Sequence, residues 1–219
     1  MKYVIMCGGK YAHWKYPKQL VRIKGEPLVV RTTRLLVEAG VSKKDIQVTA
    51  HRDYATEFMR YCDNVCVNNN NTYDVDSYDK FKGYWCDCFY DVDGPCTYLC
   101  GDVVFSPEAI KTIVETSTDD IEFFASAPPF ADNYCKKYAE PFAFKVVNVE
   151  HLRYAIAETK RLGPIGIFKR KPIAWEFWQV VKGTSFNEID YTNYTVINDY
   201  TCDIDEPEDV QFFEGADYV

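Results

Sequence analysis

The chain opens on an apolar run, Tyr3 to Met6, that breaks at the paired glycines Gly8-Gly9. A run that short before two glycines predicts a buried first strand feeding a tight loop. Polar positions dominate until Leu20, where apolar character resumes. Ile23 to Glu26 reads as a turn, with Pro27 at a first helical position. From Leu28 to Ala39 the residues Leu28, Val29, Leu35 and Leu36 fall near helical spacing, and Gly40 supplies the stop. DIQVTA (45–50) predicts the second strand, and a helix follows around Tyr54–Tyr61. Strand, loop, helix, strand is the order of a βαβ unit with a parallel sheet.

The middle of the chain is less regular. Asn68 to Asn71 form an asparagine run, which favours turns and predicts a surface loop. In TYLCGDVVFSPEAIKTIVE (97–115) an apolar strand ends at Gly101-Asp102, and Ser106 is placed to cap a helix that has Pro107 at its first position. IEFFASAP (121–128) and FAFKVV (142–147) read as strands, and HLRYAIAETKRL (151–162) as an amphipathic helix. A further helix covers 173–183, a late strand 194–199, and CDIDEPEDVQFFE (202–214) gives an acidic turn and a last helix. No internal repeat or linker interrupts the pattern, so a single domain over 1–219 is expected.

Composition narrows the class. The 219 residues, 47% hydrophobic, are enough for one substantial core. No apolar run approaches the roughly 18–20 residues that span a bilayer. Met1-Lys2 leads straight into a strand, without the pattern of a signal peptide, so a soluble cytoplasmic protein is expected. A net charge of −8 argues against a nucleic-acid partner. The nine cysteines are then expected as free thiols. Cys62, Cys66, Cys86, Cys88, Cys96 and Cys100 lack the paired C-x2-C spacing of a zinc site, and small core residues are the plainer reading.

The candidate chemistry collects at three places. Glycines at 8 and 9 let main-chain N–H groups approach an anion, and His13, Lys15 and Lys18 follow in the same loop. Asp102 stands at the end of one strand. Asp203 and Asp205 are two apart, so they share a face if Ile204 points inward. In an open α/β sheet the ligand crevice lies outside the carboxyl ends of the strands. Lysines beside two carboxylate stations are suited to a nucleotide with a hard cation.

These residues carry a resemblance. MCGG (6–9) with PKQL (17–20), LCGDVVF (99–105) and DIDEPEDV (203–210) resemble, in order and separation, the nucleotidyltransferase family of sugar-1-phosphate nucleotidyltransferases, cytidylyltransferases and molybdopterin guanylyltransferase relatives. The resemblance covers essentially the whole chain. It implies a three-layer α/β/α fold of GT-A-like, Rossmann-related type with a mostly parallel central sheet. It implies that Cys7, Gly8, Gly9 and Lys10 hold the nucleotide through their backbone and that Lys18 contacts its phosphates. Asp102 would bind Mg²⁺, with Asp203 or Asp205 completing the metal site; Lys18 and Asp102 are the implied catalytic pair. The implied partners are an NTP and a phosphorylated small-molecule acceptor, with pyrophosphate released, and a homodimer is compatible with this. Tyr11 and His13 stand where the family's loop has a third glycine and an arginine, and Lys10 or Lys15 can supply the missing charge. For the acceptor, Lys136, Lys137, Lys145, Trp175, Glu176 and Trp178 are candidates, and Lys145 and Glu176 are the substrate-binding residues expected among them. Two alternatives remain open from the sequence. A GT-A glycosyltransferase uses a D-x-D motif, which 74–76, 91–93 and 203–205 all match; a degenerate relative would bind nucleotide without turnover.

Overall fold

The first apolar run lies inside a seven-stranded sheet. The computed structural model describes residues 1–9, 14–68, 83–90, 93–130 and 138–216. In chain order the elements are β1 (Lys2–Cys7), β2 (Arg22–Ile23), β3 (Glu26–Pro27), α1 (Leu28–Glu38), β4 (Ile46–Ala50), α2 (Ala55–Phe58), β5 (Val65–Val67) and β6 (Cys96–Cys100). There follow β7 (Val103–Val104), α3 (Pro107–Glu115), β8 (Ile121–Ser126), β9 (Pro141–Val146), α4 (Val149–Leu162), α5 (Ala174–Lys182), β10 (Thr195–Ile197), β11 (Cys202–Asp203) and α6 (Pro207–Gly215). The main sheet runs β10-β8-β9-β6-β1-β4-β5, all parallel except β9, which is antiparallel to both of its neighbours.

Alternation along β1 builds the three layers. Tyr3, Ile5 and Cys7 face a core shared with Leu35 and Leu36 of α1 and Ile110 and Ile113 of α3. Val4 and Met6 face the opposite core, with Leu152 and Ala155 of α4 and an aromatic group from α5, Trp175, Phe177 and Trp178. Both faces of β1 are therefore buried, which is why its sequence is a continuous apolar run. A third, smaller core joins the β2–β3 hairpin to Ile204 and to Phe213 of α6.

The helix signals act as expected at several ends. Ser106 Oγ accepts from Ala109 N at 2.8 Å, with Pro107 beginning α3. Asn148 caps α4, and Gly183 ends α5 in the left-handed conformation at φ +64°. Asn68 departs from the surface loop expected of its run. It is buried, and its Nδ2 donates to the carbonyls of Asp87 and Cys88 at 3.1 Å each, holding the turn over 85–88. The D-x-D matches at 74–76 and 91–93 include positions outside the described residues. Seven described cysteines are free thiols, whereas Cys202 is disulfide-bonded, against the expectation that all were free. Among the described residues no helix is long and apolar enough to cross a membrane.

At Gly101 the end of β6 runs close against the end of β1. Its N–H donates to Met6 O at 3.1 Å, and a Cβ there would lie 2.5 Å from both that oxygen and Cys7 Sγ. Backbone cannot yield to such a contact at low cost. Gly101→Ala is expected to destabilise the fold by about 1–3 kcal/mol, and to displace the neighbouring Asp102. Chemical denaturation of the variant against wild type checks it; unchanged stability would contradict the close approach.

Candidate active site

The parallel pairing of β1 and β6, with Met6 opposite Cys100, sets Gly8-Gly9 beside Gly101-Asp102 at the carboxyl edge of the sheet. The short β7–β11 ladder then brings the end of the chain back to the same edge, and Ile204 N donates to Asp102 O at 2.8 Å. Ile204 is fully buried, so Asp203 and Asp205 both turn to the crevice, as alternation requires. The strand pair β8–β9 adds Glu140. Its main chain is fixed by reciprocal bonds to Ser126, Glu140 N to Ser126 Oγ at 2.8 Å and Ser126 N to Glu140 O at 2.9 Å.

Lys18 lies beneath this edge with 1% of its side chain exposed. Its Nζ is 2.8 Å from Asp102 Oδ2 and 3.2 Å from Asp205 Oδ1. Burial by itself would lower the ammonium's pKa, but Asp102 and Asp205 outweigh it and hold the pKa above the usual lysine value. Lys18 therefore carries a permanent charge at neutral pH, and it ties the 14–20 stretch to two separate parts of the chain.

Carboxylate oxygens of Glu140, Asp203 and Asp205 all lie within 4.8 Å of one another. Three oxygen donors at that separation suit a hard divalent cation that keeps water or phosphate in its other positions. Among the described residues no other group of His, Cys, Asp or Glu is so placed, the six clustered cysteines included. The carboxylates open into a cleft of about 380 Å³, floored by Gly8, Gly9 and Asp102 and walled by Trp85, Tyr138, Trp175 and Tyr191.

The expected site residues are sorted by this geometry. Lys18, Asp102, Asp203, Asp205, Gly8 and Gly9 come together, but Glu140 rather than the expected Asp102 completes the three-carboxylate group, and Lys18, expected on the phosphates, is buried against Asp102 and Asp205. Cys7 reaches the edge with its main chain, while its thiol is buried in the core and pushed well up in pKa by burial. Lys15 is exposed and is not part of the cleft wall. Lys10 and His13 lie outside the described residues, as do Tyr11, Lys136 and Lys137. Lys145 is a correction: it is buried under α3, where Nζ donates to Val114 O at 3.0 Å and to Thr116 O, satisfying carbonyls at the helix end. Strand alternation points it there and away from the crevice. Burial lowers its pKa. Glu176 is also not on the cleft wall. It accepts from Ile173 N at 3.1 Å at the start of α5 and grips Arg170 Nε at 2.5 Å. Arg170, which does line the cleft, is the cation that sequence reading missed. Trp175 lines the cleft, whereas Trp178 is core and donates to Thr192 O.

No family model and no curated protein matches the sequence. Solved structures match in fold. A nucleoside-diphosphate-sugar pyrophosphorylase from Vibrio cholerae superposes with TM-score 0.56 at 12% identity, over 97% of this chain and 99% of that chain. The 4-diphosphocytidyl-2C-methyl-D-erythritol synthase from Anaerococcus prevotii gives 0.53 at 14%, over 97% and 95%. The inositol-1-phosphate CTP transferase from T. maritima gives 0.52 at 12%, over 97% and 94%. Likeness at such identities is likeness of fold, and the chain has the GT-A-like α/β fold of these nucleotidyltransferases.

Proposed function

We propose that this protein moves an NMP from an NTP to a phosphorylated small metabolite, such as a sugar phosphate, in a Mg²⁺-dependent reaction that releases pyrophosphate. The observation that carries the reading is the convergence of Lys18, Asp102 and Asp205 beside Gly8-Gly9 at the carboxyl edge of the sheet.

Main-chain N–H groups at the two glycines approach the triphosphate without a side chain between them. Glu140, Asp203 and Asp205 are the residues that would hold Mg²⁺. Mg²⁺ bound there would neutralise charge on the α-phosphate and on the departing pyrophosphate. The need for it is electrostatic. Among the described residues the cleft gathers four carboxylates, Asp102, Glu140, Asp203 and Asp205, against Arg170 on its wall and Lys18 beneath. Four carboxylates together disfavour a polyanion, and a divalent cation held among them would offset that. Lys18 keeps Asp102 and Asp205 oriented and limits their mutual repulsion. An acceptor phosphate oxygen then attacks the α-phosphorus, forming one P–O bond as the bond to the β-phosphate's bridging oxygen breaks. The acceptor is already ionised at neutral pH, so no protein base is needed; alignment and charge neutralisation carry the step.

Arg170, held by Glu176, faces the cleft where an acceptor phosphate would sit. Arg170→Ala is expected to raise the acceptor KM by about tenfold, the scale of one charge-assisted hydrogen bond, while leaving nucleotide affinity unchanged. Steady-state kinetics with each substrate varied in turn checks this, and a change confined to the nucleotide would contradict it.

The reading as a whole is tested by thermal shift with CTP, UTP, GTP, ATP and dTTP, each with and without Mg²⁺. A ligand at 100 times its Kd adds about 2.7 kcal/mol. One nucleotide is expected to raise Tm, and only with Mg²⁺. No shift with any of the five would overturn the reading.

A further inference from the structure

Asp205 is held at its N–H, at its carbonyl and at both carboxylate oxygens. Its N–H donates to Asp209 Oδ2 at 2.8 Å, and its carbonyl accepts from the indole Nε1 of Trp14 at 2.7 Å. Both peptide groups that flank its Cα are thereby fixed. Its carboxylate takes Lys18 Nζ on Oδ1 at 3.2 Å and the Tyr138 hydroxyl on Oδ2 at 3.3 Å. Trp14 and Lys18 are four residues apart, so one short stretch grips the carbonyl and the carboxylate of the same aspartate. The indole body packs against the small core that contains Ile204 and Phe213, which sets the direction of its N–H.

We propose that Trp14 is a positioning residue for the metal: its N–H holds Asp205 so that the carboxylate stays within reach of Asp203 and Glu140. The inference rests on the reading of those three carboxylates as the Mg²⁺ site. A ligand carboxylate whose backbone can swing spends part of its binding free energy on being ordered, whereas one held by outer hydrogen bonds does not. Outer partners of metal ligands characteristically change affinity by about 10–100-fold.

Mn²⁺ provides the probe, with free Mn²⁺ counted by its EPR signal in the absence of nucleotide. Trp14→Phe keeps most of the apolar body and removes the N–H. It is expected to weaken Mn²⁺ binding about tenfold, with Asp205→Asn as the reference for a lost ligand. Mn²⁺ affinity equal to wild type in Trp14→Phe would overturn the inference. A wild-type protein that binds no Mn²⁺ would instead overturn the metal site on which the inference stands. A measurement on the unsubstituted chain guards against a variant that folds poorly. The indole N–H resonance of Trp14, followed by NMR during titration with diamagnetic Mg²⁺, is expected to shift along the binding curve. A resonance that ignores Mg²⁺ while the metal binds would overturn the proposal without any substitution.

Discussion

Lys18→Ala is expected to cost stability and nucleotide binding together. The side chain is 1% exposed and is the cation between Asp102 and Asp205. Its loss removes the ammonium that both carboxylates share, and breaking a buried pair by removing one partner costs about 3–5 kcal/mol. Asp205 is 40% exposed, so water offsets part of this; about 3 kcal/mol is the expected loss. The variant carries its own control. A divalent cation can partly replace the missing ammonium, so Mg²⁺ without nucleotide is expected to raise the variant's Tm more than wild type's. Differential scanning calorimetry at several Mg²⁺ concentrations reads both effects. A Tm equal to wild type would contradict the placement of Lys18 beneath the two aspartates.

The pH dependence has a definite sign. The folded-state pKa of Lys18 is raised above its unfolded value, so its contribution is fully present below the unfolded pKa and is lost only as pH rises through the folded one. That window lies in strong alkali. No loss of stability or activity between pH 6 and 9 is therefore expected from Lys18.

Asp102→Ala is expected to separate turnover from folding. Lys18 keeps Asp205 as partner when Asp102 is removed, so the ion pair is weakened rather than abolished. The fold should survive with a smaller Tm loss than Lys18→Ala shows. Turnover should fall by about 10²–10³, the scale of losing one preorganised electrostatic group at a reacting centre. In Asp102→Ala, kcat should fall with little change in nucleotide Kd, because Gly8-Gly9 and the three other carboxylates remain in place. Turnover within a few-fold of wild type would remove Asp102 from the chemistry. The two variants together form half of a double-mutant cycle, and residues in direct contact are expected to be non-additive.

The layers of the fold were legible because β1 is apolar on both faces, β4 and β6 are short strands rich in buried apolar positions, and their helices carry amphipathic spacing. The direction of β9 was not. Its apolar run is as compatible with parallel as with antiparallel pairing, and the choice is made by strands β6 and β8, far along the chain on one side and near on the other. Asp203 and Asp205 could be placed on one face because alternation is a local property and Ile204 had to go inward. Glu140 could not be singled out, since its role comes from where the β8–β9 connection lands rather than from its neighbours Ala139 and Pro141. Lys145 misled for the same reason. With Lys136 and Lys137 it was a candidate to grip a phosphate, yet the strand's position sets it under the open carbonyls at the end of α3. Glu176 pointed to the right region in the wrong role: it holds Arg170, and Arg170 faces the cleft. Charge near a site is legible in a sequence, whereas which charge faces the ligand is decided by packing.

The most direct test of the central claim is pyrophosphate release from the wild-type protein, with the five NTPs crossed against a panel of sugar phosphates and other phosphomonoesters, with Mg²⁺ and with EDTA. The account predicts release for one nucleotide with at least one acceptor, in step with formation of a diphosphate-linked product and abolished by EDTA. Nucleotide that binds with Mg²⁺ but yields no pyrophosphate with any acceptor across such a panel would contradict it, and would make the protein a nucleotide binder built on a transferase fold.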